Sequence, residues 1–574
     1  MITKDENSSR SIRIVSILAI SFCCIFLFPQ ARYYIVGTLN IIFEWNFISS
    51  KWTRLMIIIP LVLIVYYIII FLYTFKNIQY FFDEYKKNMG NLFIYTSIAV
   101  VVMGIIVRIV IYIKCRSFYI DEVWLAENIV TRNWSELLTP PLANIQSAPV
   151  LYIISVKLIG LILGYSESSL RLFSLFSFIG LLICEIMFLK KVFNYNNLHI
   201  AFIVVMTSLF PGYIRYSNEF KPYMGDAFFI VLTILLYCYY MKNKIKLPLL
   251  TILYIMILGY SSPAIFFIGG SLFTEFLINA IYKNKKQAIS VFISGAVVLA
   301  TFGLYYYWWM LPVSGWMRIY WDNYWKQDKF TLILNFFSEG DYNSLIILIF
   351  VPLMLLGLFS MCRSKNKVAY SVVLSLLFAF LASAMGYWPL NSRLWLFLPA
   401  IVFIFTPNGF DFIHDKIKYI NIVKIMGFSL LIAITIYLSN NLLEYPNKRM
   451  YLHAYEINPL IDYVQGNIKS DEKLYVFSGA EIAFKFKNGY TATKIGNGDN
   501  DNIIFGKSSR NEWYNGFLGN DLILILDNEK VYLIFYDNNG NINNGLDILR
   551  NYGTLTEVMN VYNTLLYYFK KGSK

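Results

Sequence analysis

Two adjacent carboxylates, Asp121 and Glu122, stand in the stretch IYIKCRSFYIDEVWLAENI (111–129), shortly after an apolar run ends at Ile113 and just past Lys114 and Arg116. A carboxylate set among aromatic rings can take a hydroxyl proton while the rings stack on the apolar face of a sugar. The structural reading is that acids in the first turn of a helix offset its dipole. Neighbours on a helix point ~100° apart, so only one of the two faces a given site. A second group lies in IRYSNEFKPYMGDAFF (214–229), where Arg215, Glu219, Lys221 and Asp226 open an apolar run. Charges at that depth are costly unless paired or beside a water-filled cavity. Snorkelling accounts for Arg215 and Lys221 better than for the two acids. A third candidate is Arg393 in GYWPLNSRLWLFLP (386–399), which also fits a headgroup anchor. The cluster Trp316, Tyr320, Trp321, Tyr324 and Trp325 fits either a lipid-interface helix or a glycan-stacking wall.

The elements that must position these residues are membrane spans. The chain has 574 residues, 57% hydrophobic and 15% charged, with a mean hydropathy of +0.54. A soluble fold of that composition lacks the polar residues to cover its surface. Apolar runs recur that are long enough to cross ~30 Å of hydrocarbon. The net charge of +14 then reflects loops rich in Lys and Arg, such as KNKIK (242–246), KNKK (283–286) and RSKNK (363–367), rather than nucleic-acid binding. Placing those loops in the cytoplasm predicts about thirteen spans, with the N-terminus inside and the C-terminus outside. They run near 11–29, 55–74, 92–113, 170–189, 199–213, 224–241, 249–262, 264–281, 288–311, 344–362, 368–386, 392–407 and 422–439. The segment 148–164 is apolar enough to cross but breaks this parity, so it is read as a short or in-plane piece. The first segment, 11–29, has basic residues before it but no small-residue cleavage site after it, and reads as a retained anchor.

The expected fold is therefore mainly α: a polytopic transmembrane helical bundle with a small extracytoplasmic α/β domain. Residues 1–90 form a two-span extension. Residues 91–440 form the core, with outer loops at 114–148 and 312–343. Residues 441–574 form the tail domain, where Asn, Asp, Gly and Lys rise and strand-like runs appear at 473–479, 522–527, 530–537 and 561–569. Helical stretches are expected at 457–468 and 545–553. Cys23, Cys24, Cys184, Cys238 and Cys362 lie in or beside apolar segments, which argues against a disulfide framework. His199, His414 and His453 match no metal-ligand spacing. The sequence contains no P-loop, dinucleotide fingerprint, metalloprotease helix or nucleophile elbow. Its Asn, Lys, Ile and Tyr content resembles that encoded by an AT-rich bacterial genome.

Taken together, four stretches resemble the GT-C glycosyltransferases, family 39-like branch, which holds protein mannosyltransferases and aminoarabinose transferases. They are SFYIDEVWLAENI, the 146–182 segment QSAPVLYIISVKLIGLILGYSESSLRLFSLFSFIGLL, RYSNEFKPYMGDAF and WPLNSRLWLFLPAI. The resemblance covers roughly 92–410, and the tail at 457–486 also looks like the extracytoplasmic domain of bacterial members; residues 1–90 depart from the pattern. It implies a glycosyltransferase of the bacterial cell (inner) membrane, working on the envelope side; an in-line displacement with an Asp as base predicts inversion at the anomeric carbon. The implied donor is a polyprenyl-phosphate-linked sugar such as an undecaprenyl phosphate sugar, and the acceptor a glycan, lipid or protein. It implies catalytic roles for Asp121, as base, and its neighbour Glu122. Arg116, Glu219, Lys221, Tyr223, Asp226 and Arg393 become substrate-binding candidates, the cations stabilising the leaving phosphate. No cofactor or metal is required on this reading. The alternatives are a lipid or polysaccharide flippase or transporter, which would place ionisable groups near mid-membrane, and a metal-dependent polymerase or ligase using lipid-pyrophosphate glycans.

Overall fold

The computed structural model describes residues 82–193, 195, 197–325, 344–416, 456–487, 502–508, 512–513, 515–516, 518–536 and 542–572. The expected spans at 11–29, 55–74 and 422–439 lie outside them, as does most of the 312–343 loop beyond Trp325. By packing the chain divides into two units, of which Val101–Phe412 with Glu444–Lys574 holds every candidate site residue.

Among the described residues six helices are long and apolar enough to cross a membrane: Ser97–Lys114, Glu167–Phe188, Tyr223–Met241, Ala264–Ile281, Lys285–Ile319 and Lys367–Ala384. Five shorter apolar helices join them, at Val150–Leu163, His199–Leu209, Leu247–Tyr260, Phe350–Arg363 and Leu398–Ile413. Their outward faces carry large apolar side chains, including Ile162, Phe176, Phe292 and Leu304. That is the surface a helix shows to lipid.

Local chemistry sets the breaks. Pro222 and Pro263 stand immediately before the Tyr223–Met241 and Ala264–Ile281 helices, where a missing N–H costs nothing. Pro211 starts a separate short helix, Pro211–Tyr216, so the run expected at 199–213 is two pieces rather than one. Gly164, at φ +84°, ends Val150–Leu163; a Cβ would disfavour that backbone conformation. At 14 residues the Val150–Leu163 helix is about 21 Å long, short of the ~30 Å hydrocarbon core. The aromatic stretch after Tyr305 continues as helix through a π-turn into Leu311–Trp325.

Close packing depends on small residues. A Cβ on Gly270 would lie 2.7 Å from the Ser371 carbonyl oxygen and 2.8 Å from the Ser375 nitrogen. The Ala264–Ile281 and Lys367–Ala384 helices thus approach backbone to backbone, and Ser271 and Ser371 share a 2.9 Å hydroxyl hydrogen bond there. Buried Arg108 donates to the Gly104 and Ser208 carbonyls and lies 3.6 Å over the Phe178 ring.

The tail is a five-stranded mixed sheet in the order β2-β1-β3-β5-β4. The strands are β1 Lys473–Val476, β2 Ile503–Phe505, β3 Lys530–Tyr536, β4 Gly553–Val561 and β5 Thr564–Lys571. β1 pairs parallel with β2 and β3, while β5 pairs antiparallel with β3 and β4. The run 522–527, expected as a strand, is instead part of the helix Gly519–Leu526. The reason is periodicity: Leu522, Ile525 and Leu526 meet the core at helical spacing, whereas Ile523 is exposed. β2 and β4 were not anticipated.

Alternation along the strands gives the sheet two apolar faces. Tyr475, Leu533 and Phe535 face Trp513, Ile525, Leu546 and Leu549. Leu474, Val476, Ile534 and Leu566 face the other way, into a core shared with the first-loop helix Ile120–Thr131 through Val123, Ala126 and Ile129. Phe118 stacks on Phe220 at 5.6 Å and meets Phe486 at 5.0 Å. The tail domain and the first loop therefore share one hydrophobic cluster.

Candidate functional site

The Ile120–Thr131 helix carries both acids in its first turn, and Tyr119 caps it. Glu122, at the third helical position, turns back to accept from the Tyr119 amide at 2.9 Å, satisfying one orphan donor of the helix start. The other end is also tied: Lys157 donates to the carbonyls of Ile129 at 2.5 Å and Arg132 at 2.9 Å. Both ends of this short helix are fixed by side chains.

Adjacent in sequence, the two acids occupy opposite environments. Glu122 is 1% exposed. Its Oε1 accepts from Arg171 Nε at 3.2 Å and the Phe220 amide at 2.6 Å, and its Oε2 from Arg116 Nη1 at 2.8 Å and Arg171 Nη2 at 3.1 Å. Burial pushes this carboxyl up, but the Arg116 and Arg171 guanidiniums and the Phe220 N–H outweigh it and hold it at about 2. All its acceptor positions are occupied, so it offers no free lone pair to an incoming proton donor.

Asp121 points elsewhere. Its side chain is 28% exposed, and Oδ2 lies 3.6 Å from Arg393 Nη1, itself 27% exposed. Arg393 reaches this point from the 3₁₀ turn Ser392–Trp395, which Asn391 caps by accepting from the Arg393 amide at 3.2 Å. Lys221, partly exposed, donates from Nζ to Gln146 Oε1 at 3.0 Å. Burial pushes its ammonium below the usual lysine value; Asp121 opposes that and Arg393 adds to it, so Lys221 lies within electrostatic reach of both. Asp121, Lys221 and Arg393, each at least a hundred positions from the next in sequence, thus form one partly open group.

Arg116 and Glu219 belong with Glu122. Arg116 lies 3.7 Å from Glu219 Oε1, which also takes Arg215 Nε at 2.6 Å. Tyr223 is within electrostatic reach of Arg393, Asp121 and Glu219, with its ring 5.4 Å from that of Tyr216. Asp226 stands apart: it is buried on the Tyr223–Met241 helix, and among the described residues no hydrogen-bond partner reaches its Oδ1. Among the described residues no group of three His, Cys, Asp or Glu side chains is placed to hold a metal ion. Of the Trp/Tyr cluster, Trp316 is exposed.

Four contributors escaped the sequence reading. Arg171 binds Glu122 with two nitrogens, Gln146 holds Lys221, and Ser117 and Glu456 bind each other beside Arg116. A signal existed for Arg171, an arginine just inside an apolar helix. Gln146, Ser117 and Glu456 carried none.

No protein-family model matches the chain, and no curated protein sequence matches it. Solved structures give partial likenesses of fold. ArnT from Cupriavidus metallidurans bound to undecaprenyl phosphate is 9% identical, with a TM-score of 0.48 over 84% of this chain and 98% of that one. The same protein in the apo state is 10% identical, with a TM-score of 0.45 over 82% and 98%. The Archaeoglobus fulgidus oligosaccharyltransferase complex with zinc and sulfate is 12% identical, with a TM-score of 0.40 over 76% and 67%. The function of the chain is therefore inferred from its motifs and the site geometry.

Proposed function

We propose that this chain is an integral-membrane glycosyltransferase that moves a sugar from a polyprenyl-phosphate donor to a hydroxyl-bearing acceptor on the extracytoplasmic side. The observation that carries the proposal is the meeting of one accessible carboxylate with two cations, Asp121 with Arg393 and Lys221. The resemblance of the sequence motifs supports the same reading.

Displacing a phosphate from an anomeric carbon needs a base for the nucleophile and charge stabilisation for the leaving group. Asp121 takes the proton from the acceptor hydroxyl as its oxygen bonds to the anomeric carbon. The bond from that carbon to the donor phosphate breaks, and both electrons leave with the phosphate oxygen. Arg393 and Lys221 meet the charge that develops there; arginine can grip two phosphate oxygens in its planar fork. A single in-line displacement inverts the anomeric centre. Tyr223, within electrostatic reach of Asp121 and Arg393, is assigned to the donor site. Glu122 is a positioning residue in this scheme: with Arg116, Arg171 and Glu219 it fixes the turn from which Asp121 projects. Lysine and arginine supply the electrostatics, so the scheme has no metal step.

The test is transfer by the full-length protein in lipid nanodiscs, offered a panel of undecaprenyl-phosphate sugars. The expected result is consumption of one donor with inversion, lost in Asp121→Asn while donor binding is retained. Normal transfer by that variant removes Asp121 from the mechanism, and retention of configuration removes the single displacement.

A further inference from the structure

Glu456 is a buried carboxylate with no part in the transfer chemistry. It is 6% exposed and belongs to the start of the tail. Its Oε1 accepts from the Ser117 amide at 2.9 Å and the Ser117 hydroxyl at 2.5 Å, across 339 positions of sequence. The Ser117 hydroxyl in turn accepts from the Asn458 amide at 3.0 Å. Asn458 also donates from Nδ2 to Glu167 Oε1 at 2.9 Å, at the start of the Glu167–Phe188 helix. Polar groups of the tail thus meet the bundle at two points.

The segment they hold is the one that feeds the site. From the bundle side, Arg171 donates to the Arg116 carbonyl at 2.7 Å and to the Ser117 carbonyl at 3.4 Å. From the tail side, Glu456 takes the amide and hydroxyl of the same residue. Residues 116 and 117 are therefore held both by the Glu167–Phe188 helix and by the tail, shortly before Tyr119, Asp121 and Glu122. Packing alone would dock the tail, since Phe118 meets Phe486, and Leu460 and Ile461 lie in the shared core. A carboxylate in such a contact costs desolvation that an apolar residue would avoid. It adds direction, because two donors on one oxygen fix the Ser117 backbone in a way that apolar contact does not.

We infer that Glu456 is a positioning residue for the first-loop site, holding through Ser117 the turn that carries Arg116 and Asp121. The tail domain is then part of the working site rather than an appendage. This rests on the assignment of Asp121 as base only for its effect on turnover; the structural effect is independent of it.

The experiment compares Glu456→Ala, Glu456→Gln, Ser117→Ala and the Ser117→Ala/Glu456→Ala double variant as full-length protein in nanodiscs. Two readouts are taken: amide hydrogen exchange, and sugar transfer resolved into kcat and donor KM. Glu456→Ala should speed exchange across 115–122 by about 10-fold or more, the size of a lost bond to a charged acceptor, leaving β3 and β5 unchanged. Among the described residues no donor reaches Glu456 Oε2, so glutamine keeps both bonds on Oε1 and should restore protection. The kcat of Glu456→Ala should fall about 10-fold with donor KM within about twofold. The double variant should lose less than the sum of the two single ones, since the hydroxyl bond to Oε1 is removed by both, while the Ser117 amide bond and the Asn458 amide bond are each removed by one. Unchanged exchange at 115–122, loosened exchange with wild-type kcat, or additive losses in the double variant each overturn the inference. Two further results separate it from the transferase reading. If the wild type transfers nothing but Glu456→Ala still loosens 115–122, the transferase reading fails and the hold by Glu456 stands. If Asp121→Asn abolishes transfer but Glu456→Ala alters neither readout, the reverse holds.

Discussion

Asp121 and Glu122 share a peptide bond, so replacing each by its amide gives a paired test of the site. Glu122 accepts from Arg116 Nη1, Arg171 Nε and Nη2, and the Tyr119 and Phe220 amides, all in the interior. In Glu122→Gln the amide oxygen can serve one set of donors, but the amide nitrogen faces the other; buried Arg171 loses its paired carboxylate and Arg116 is left with Glu219 at 3.7 Å. Breaking a buried pair from one side costs about 3–5 kcal/mol. With an unfolding entropy of about 2.1 cal/mol/K per residue, a chain of this length loses about 3–4 °C of Tm. Asp121→Asn removes a partly exposed pair separated by 3.6 Å, worth about 0–1 kcal/mol, and should move Tm by about 1 °C or less. Its cost falls on transfer, which should drop about 10²- to 10⁴-fold, the range for a positioned general base. The assay is a tryptophan-fluorescence melt of each variant in nanodiscs beside its transfer rate. A Glu122→Gln protein as stable as wild type would refute the buried-knot account. An Asp121→Asn protein as destabilised as Glu122→Gln would refute the separation of roles.

Other outcomes depend on the same geometry. Because the Glu122 carboxyl is held at about 2, below the unfolded value of about 4.3, its stabilisation is complete above about pH 5 and fades as pH falls from about 4 towards 2; wild-type Tm should drop in that window, and the Glu122→Gln curve should be flatter there. Burial lowers the Lys221 ammonium, so transfer should fall on the alkaline side below the usual lysine range near ~10.4, whereas Lys221→Arg, still charged there, should lack that limb; a wild-type limb above that range would contradict the role. Arg393→Gln should raise donor KM about 10-fold or more and weaken binding of undecaprenyl phosphate measured directly. Gly270→Ala should destabilise by about 1–3 kcal/mol because the new carbon meets the Ser371 and Ser375 backbone. Gly295→Ala, with nothing within 4 Å of its Cβ, should be neutral or gain about 0.5–1 kcal/mol in the same melt.

What the sequence determined by itself was whatever depends on neighbours along the chain. Long apolar runs separated by basic loops placed ten described helices close to their observed positions, because hydropathy and length are local properties. A charge at a helix mouth likewise marked Asp121, Lys221 and Arg393 as residues needing an explanation. Even so, local pattern misread 522–527, where alternating Leu and Ile fit strand and helix alike until Trp513 and the sheet decided which faces were buried. The tertiary structure alone decided what each charge does. Locally Glu122 differs from Asp121 in its capping bond to the Tyr119 amide and its Arg116 pair, which do not by themselves bury it. The difference is that Arg171, 49 positions away, and the Phe220 amide, 98 positions away, close around one and leave the other facing Arg393. Glu456 is more remote still, 339 positions from Ser117. A buried charge is stabilised only by partners brought to it in space, and their identity depends on how the helices and the tail sheet pack against the first loop.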